Sequence, residues 1–379
     1  MSTAVREGMV PFPTLYNDIL KRIGQIDPEG YARSRNYIDG SVSRLSPYIS
    51  RGVISTKLVF QTLIEQGHPF PKMEKFVQEL AWRDYWQQVW VSKGDLINTD
   101  LKHLQEPVEN NGLPRAIFEG NTGIEAIDKA IADLYQSGYM HNHLRMYVAS
   151  MACNLGRSHW HLPAKWMYYH LLDADWASNA LSWQWVAGAN SHKKYFANQE
   201  NINKYCHTRQ TNTFLDVAYG TFERLAVPKP LVPSVQPHFE TPLPLQQSIQ
   251  IKQGLPTLIY NFYNLDPLWK KNIDANRVVL LEPSHFKKYP VSKKSIDFVL
   301  ELSNNIPNVQ IFVGSFEALK KEYGLGMVFY KEHPLNRHYQ GMEEPRDWMF
   351  KVQGYYPSFF AFWKKCKKEM KNGNPQLFE

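Results

Sequence analysis

Residues 173–185, Asp-Ala-Asp-Trp-Ala-Ser-Asn-Ala-Leu-Ser-Trp-Gln-Trp, hold the densest chemistry in the chain. If the stretch is helical, Asp175, Asn179 and Trp183 recur at i, i+4 and i+8, which stacks a carboxylate, an amide and an indole on one face. Buried polar groups need partners, so this face is a poor plain core surface. It suits a helix bordering a polar, redox-active ring that takes hydrogen bonds and exchanges electrons with Trp, and a flavin meets that description. The other reading of this window alone is an amphipathic helix with scattered polar residues. Two further clusters share the helical period: Glu79, Trp82, Arg83 and Trp86 at i, i+3, i+4 and i+7, and Asn142, Arg145 and Met146 at i, i+3 and i+4.

The elements that must position these residues are mostly helices. Residues 1–225 read as helical; Thr122 and Glu125 form a capping-box pattern, and Ile124, Ile127, Ile131 and Leu134 follow helical spacing. Six prolines between Pro228 and Pro244 mark a linker or extended wrapping segment over 226–254. In 255–379 the β-rich runs 258–262, 277–281 and 309–313 alternate with helical stretches such as 292–305, as in a parallel α/β sheet. A closing helix, aromatic and then Lys-rich, is expected over 355–371. The fold class is therefore mainly α, a helical domain followed by a smaller α/β domain.

With 379 residues, both parts can bury a core. The aromatic share of 14% and net charge of +7 fit attraction to a polyanion without requiring it. Cys153, Cys206 and Cys366 are odd in number and far apart. They make neither a disulfide framework nor a metal spacing, which points to the reducing cytoplasm and to no metal. Met1 to Glu7 lacks an apolar signal core, and no run of about 18 apolar residues is present to span a membrane.

Four ordered motifs carry a family resemblance. They are Ser43-Arg44-Leu45-Ser46-Pro47-Tyr48, Glu79-Leu80-Ala81-Trp82-Arg83-Asp84-Tyr85-Trp86, Thr122-Gly123, and the stretch 138–185 that opens Gly-Tyr-Met-His-Asn-His-Leu-Arg-Met. Over roughly residues 28–205 the chain resembles the flavin-binding helical domain of the cryptochrome and DNA photolyase family. Its motifs are nearest to those of the branch acting on cyclobutane pyrimidine dimers. Typical members place an α/β domain before the helical one; here an α/β segment follows it, and nothing of that size precedes residue 28.

The resemblance implies FAD as cofactor. Tyr31, Ser43, Arg44, Leu45 and Ser46 would cradle its pyrophosphate, where hydroxyls and helix N–H groups suit an anion. Arg83, Arg145, Asp173 and Asp175 would surround the ring and ribityl chain, and Asn179 would face N5. Trp183 and Trp160 match the proximal and middle members of the electron-transfer chain; the region near Glu106–Glu109 offers no third. Glu79, Asn142 and Met146 would contact the pyrimidines, with Trp82 and Trp185 flanking a flipped dinucleotide. An antenna pigment stays open, and the cysteine pattern argues against an iron–sulfur cluster.

Contacts to the DNA backbone depart from the family pattern. Arg33 or Arg35 could bind phosphate upstream of the Ser loop. His143 stands where repair enzymes carry Arg, and Ala197 replaces another Arg. Lys193 and Lys194 could compensate electrostatically, without the bidentate geometry of Arg. The expected function is FAD-dependent, light-driven repair of pyrimidine dimers by a monomer, with a preference for single strands. The alternative is a cryptochrome-like blue-light photoreceptor whose flavin state alters a surface such as 355–371. A helical DNA-binding module without flavin would leave Asp175, Asn179 and Trp183 unexplained.

Overall fold

The computed structural model describes residues 12–373, so Met1 to Glu7 lies outside the described residues. The chain opens with α1 (Tyr16–Gly24), α2 (Pro28–Ser34), α3 (Ser46–Ser50), α4 (Thr56–Glu65) and the long α5 (Phe70–Lys93). The two-residue strand β1 (Leu113–Pro114) precedes α6 (Arg115–Glu119), α7 (Glu125–Ser137), α8 (Asn142–Ser150), α9 (His161–His170), α10 (Trp176–Ala187) and α11 (Gln199–Cys206). A π turn over Met151–Leu155 extends α8.

α5 organises this half. In its first turns the buried residues are Phe70, Met73, Phe76 and Val77, a helical stripe; from Asp84 to Trp90 every residue is buried. The amphipathic period therefore gives way to burial all round where the helix crosses the centre of the molecule. α10 begins on Asp175, whose carboxylate accepts from the Ser178 N–H, and ends at Gly188 in the left-handed region, φ 89°. Asp175 is thus the cap of this helix rather than a residue of its face, and only Asn179 and Trp183 lie within it. The capping box expected at Thr122 and Glu125 is also corrected. α7 starts at Glu125 with Ile124 at its cap, and Asp128 reaches back to the Thr122 N–H at 2.7 Å and the Gly123 N–H at 3.0 Å.

Residues 226–254 contain no long element. β2 (Ser234–Val235) pairs antiparallel with β1 and clasps this stretch to the helical half. Beyond it lies a five-stranded sheet with β3 (Thr257–Tyr260) at its centre. β4 (Asn276–Leu281) and β5 (Val309–Val313) extend one side; β6 (Val328–Lys331) and β7 (Met342–Glu344) extend the other, and all pairs are parallel. α12 (Pro283–Lys288) and α13 (Lys293–Ser303) connect β4 to β5, and α14 (Phe316–Tyr323) connects β5 to β6. β6 and β7 extend the sheet beyond the three runs expected. β3 and β4 are buried along their whole length, as parallel strands covered on both faces must be.

Alternation along these strands splits the burial. Leu258, Tyr260, Val279 and Leu281 join the core that runs through the helical half. Ile259, Val278, Leu280 and Phe312 form a second cluster with Phe316 and Leu319. One face of the sheet is thus packed directly on the helices. The junction is close: the Leu265 N–H donates to the Arg51 carbonyl at 2.9 Å. Beside it, Gly52 has φ +62°, and a Cβ there would meet the Tyr263 carbonyl oxygen at 2.4 Å. The last helix, α15 (Phe359–Gly373), packs on α5.

Candidate functional site

α5, α8 and the N-terminus of α10 bring two arginine–carboxylate pairs together. Arg145 on α8 meets Asp173 at 2.9 Å, and Arg83 on α5 approaches Asp175 at 3.3 Å. Both carboxylates are buried. Asp175 also accepts from the Gln87 amide at 2.8 Å. Gln87 in turn accepts from Arg346 at 2.6 Å, and Arg346 pairs with Glu332 at 2.9 Å. A chain of polar contacts therefore runs from the sheet half to the cap of α10. Burial of charge is tolerable here because each charge has an opposite partner.

Tyr139 lies between the guanidinium groups of Arg44 and Arg145, each 5.9 Å from its ring centroid. His141 caps α8, its Nδ1 accepting from the His143 N–H at 3.2 Å. Burial, reinforced by His143, Arg145 and Arg44, pushes the His141 imidazole down to about 4, so it is neutral at pH 7. Arg44 holds φ 53°, a left-handed conformation uncommon for a residue with a side chain. The loop Ser41–Arg44 and residues Arg22, Gln25, Ile26 and Asp27 line a cavity of about 350 Å³. Within this loop Ser43 is half-buried and Leu45 fully buried, while Ser46 is exposed at the start of α3. Tyr31 packs edge-on against Phe76, 5.0 Å between centroids.

Three buried polar atoms of this cluster have no hydrogen-bond partner: Arg83 Nε, Asp175 Oδ2 and His141 Nε2. Arg83 Nε and Asp175 Oδ2 are the two atoms that face each other as an ion pair at 3.3 Å, so His141 Nε2 alone of the three lacks any such partner and marks a place for a polar ligand. The Asn179 amide donates to the Ala164 carbonyl at 2.8 Å.

Trp183 and Trp160 are both buried. The Trp160 indole N–H donates to Asp100 at 2.7 Å, and Asp100 also meets His159 at 3.1 Å. The ring stands 6.5 Å from Trp176, which continues to Tyr168 at 5.4 Å and Tyr289 at 5.6 Å. Sequence reasoning misses Trp176, although it adjoins Asp175.

The surface residues are dispersed. Asn142 is exposed at the start of α8, Met146 is half-buried one turn on, and Trp185 is 37% exposed. Glu79 pairs with Lys75 at 2.7 Å and stands 4.0 Å from Arg35, whose guanidinium also donates to the Ala32 carbonyl. One face of Trp82 is taken by Phe359 of α15, parallel within 11° at 3.7 Å between centroids. Lys193 is exposed and Lys194 half-buried. His143 is half-buried. Its Nδ1 lies 2.9 Å from the Asn36 carbonyl, and its ring packs beside Tyr147 and Tyr205. Ala197 is fully buried.

Residues 76–224 match the family described as the FAD-binding domain of DNA photolyase. A deoxyribodipyrimidine photo-lyase of Thermus thermophilus is 33% identical over 165 residues, covering 42% of this chain and 38% of that protein. That of Alkalihalophilus pseudofirmus is 30% identical over 168 residues, covering 43% and 35%. The cryptochrome of Synechocystis sp. PCC6803 aligns with a TM-score of 0.47 at 24% identity, over 52% of this chain and 44% of that one. Through residues 76–224 the chain is thus similar to the FAD-binding domain of DNA photolyases. It spans little more than a third of the length of the two photo-lyases.

Among the described residues no helix is long and apolar enough to cross a membrane.

Proposed function

We propose that this chain binds FAD and uses light to split cyclobutane pyrimidine dimers in DNA. The observation that carries the reading is the double pairing Arg83–Asp175 and Arg145–Asp173, inside the segment matched to the photolyase FAD-binding domain. His141 Nε2, which has no hydrogen bond, and the Arg83–Asp175 ion pair would give an isoalloxazine and ribityl chain polar partners, and Arg22 and Arg44 beside the 350 Å³ cavity suit a diphosphate. When bound, FAD supplies light absorption and the transferred electron. The protein's part is to hold and orient. Neutral His141 avoids a further positive charge beside Arg44 and Arg145. Asn142 offers its amide to a pyrimidine edge, Met146 adds apolar contact, and Trp185 presents a face on which a flipped base gains about 1–3 kcal/mol by stacking. Trp183 and Trp160 would carry electrons inward. Single strands should be preferred, because extrusion from a duplex costs a few kcal/mol and positions 143 and 197 carry His and a buried Ala rather than Arg. The three buried free cysteines accord with work in a reducing cytoplasm.

A second reading has its own observation. Phe359 stacks on Trp82, one of the residues assigned to the dinucleotide, so a C-terminal element touches the candidate substrate surface. That is the arrangement a blue-light photoreceptor would use to couple its cofactor to a tail.

A visible absorption spectrum of purified protein, followed by illumination with dimer-containing oligonucleotides, separates these readings. Flavin bands with light-dependent splitting support repair. Flavin bands without splitting, together with light-dependent proteolysis of the 355–371 region, favour the receptor. Protein that cannot be reconstituted with FAD removes both.

A further inference from the structure

α15 lies outside the residues matched to the family, and its two sides differ sharply. Phe359, Phe362, Trp363, Cys366 and Met370 are buried against the rest of the molecule. On the opposite side Phe360, Lys364, Lys367, Lys368 and Lys371 recur at i, i+4, i+7, i+8 and i+11, one continuous stripe, and all are exposed. Phe360 is 67% exposed, an unusual position for a large aromatic. Among the described residues, Lys367 alone of these lysines has a carboxylate partner, Glu74 at 3.2 Å. Like charges three and four residues apart destabilise a helix, so the stripe is unfavourable until an anion lies along it.

Its location is fixed by the first residue of the helix. Phe359 stacks on Trp82, so the stripe begins beside the α5 surface assigned to the dinucleotide. Neither position where the family pattern places a backbone-binding arginine carries one: His143 is half-buried with its Nδ1 at the Asn36 carbonyl, and Ala197 lies in the core. We propose that the Phe360–Lys371 face of α15 is a docking surface for the phosphate backbone of single-stranded DNA, with Phe360 as a stacking platform. An ordered row of cations headed by an exposed ring is the chemistry that holds single strands without reading their sequence. The proposal rests on the DNA-repair reading for the direction of the strand into the site, but not for the binding itself.

The test uses the full chain and a fluorescent single-stranded oligonucleotide without any lesion. Fluorescence anisotropy is measured at several salt concentrations for the wild type and for Lys364→Glu/Lys368→Glu/Lys371→Glu. The triple variant should bind about tenfold more weakly or worse, and its slope of log affinity against log salt should be shallower by about 2, three charges at roughly 0.7 each. Phe360→Ala should weaken binding about fivefold or more while keeping the wild-type slope. The matching Lys→Arg variant should retain affinity. Circular dichroism and flavin content, both expected to be unchanged, show that the helix is still folded. A folded triple variant with wild-type affinity and slope overturns the proposal, as does a wild type that binds no oligonucleotide. Loss of binding to anionic phospholipid vesicles with DNA binding intact would assign the face to membranes instead, and also overturns it. Loss of oligonucleotide binding in a protein that splits no dimers removes the repair reading and leaves the DNA surface standing.

Discussion

Asp175 does two jobs with one carboxylate. Oδ1 caps α10 and takes the Gln87 amide, while Oδ2 faces Arg83 with no hydrogen bond of its own. Asp173 is simpler, a partner for Arg145 alone among the side chains described. Asp173→Asn should leave Arg145 as a poorly compensated charge and cost about 3 kcal/mol of stability, read from urea unfolding, with loss of bound flavin on gel filtration. Retention of both would remove this pair from the site. Gln87→Leu deletes one donor to Asp175 and one acceptor of Arg346, which keeps Glu332, and about 1–3 kcal/mol should be lost with it. The pair Arg145–Asp173 is legible in the sequence through the family resemblance, whereas Arg83 and Asp175 are each singled out there but not paired. Gln87, Arg346 and Arg51 are not legible there, since Gln87 and its partners are 88 and 259 positions apart and no local period links them. Arg51 is extreme: fully buried, it sits 3.4 Å from the Phe262 ring centroid and donates to the Ala174 carbonyl, and burial pushes it down to about 10.

At the scale of elements, periodicity located α5, α7, α8, α10, α13 and α15, because each buries one face or is bounded by a cap or glycine. It also found β3, β4 and β5, whose apolar runs are continuous. β6 and β7 escaped it. They are four and three residues long, and β7, Met-Glu-Glu, is polar and lies at the sheet edge, where pairing rather than burial defines the strand. The start of α7 departs from its sequence pattern because Thr122 and Asp128 satisfy one another at 2.7 Å, leaving Glu125 no capping role. Asp128→Ala should therefore destabilise the protein by about 1–2 kcal/mol, whereas Glu125→Ala should be near neutral. Equal effects in thermal melts would restore the capping-box account.

The whole molecule has one dominant core. Sheet residues Leu258, Tyr260, Val279 and Leu281 share it with α5 and α10, so helices and sheet should unfold together. Far-ultraviolet circular dichroism and Trp fluorescence should give coincident urea transitions; two separated transitions would show independent halves. Acid should act on the same unit through buried imidazoles. Burial lowers His141, His161 and His170 from 6.5 to about 4, so between those values the unfolded chain binds protons that the folded chain refuses. Stability is intact above about 6.5, falls as the pH drops toward 4, and should appear as a declining melting temperature across that window. Substituting His141 by Asn should flatten part of the decline.

Gly52 turns this continuity into a handle. Its left-handed φ of +62° already disfavours any side chain, and a methyl group there would press on the Tyr263 carbonyl at 2.4 Å. Gly52→Ala thus works as a wedge driven between the helical cradle and the sheet, touching no candidate cofactor or DNA residue. If the sheet serves only as a buttress, the wedge will loosen the flavin without altering the chemistry of what remains bound, so that occupancy and turnover per flavin come apart.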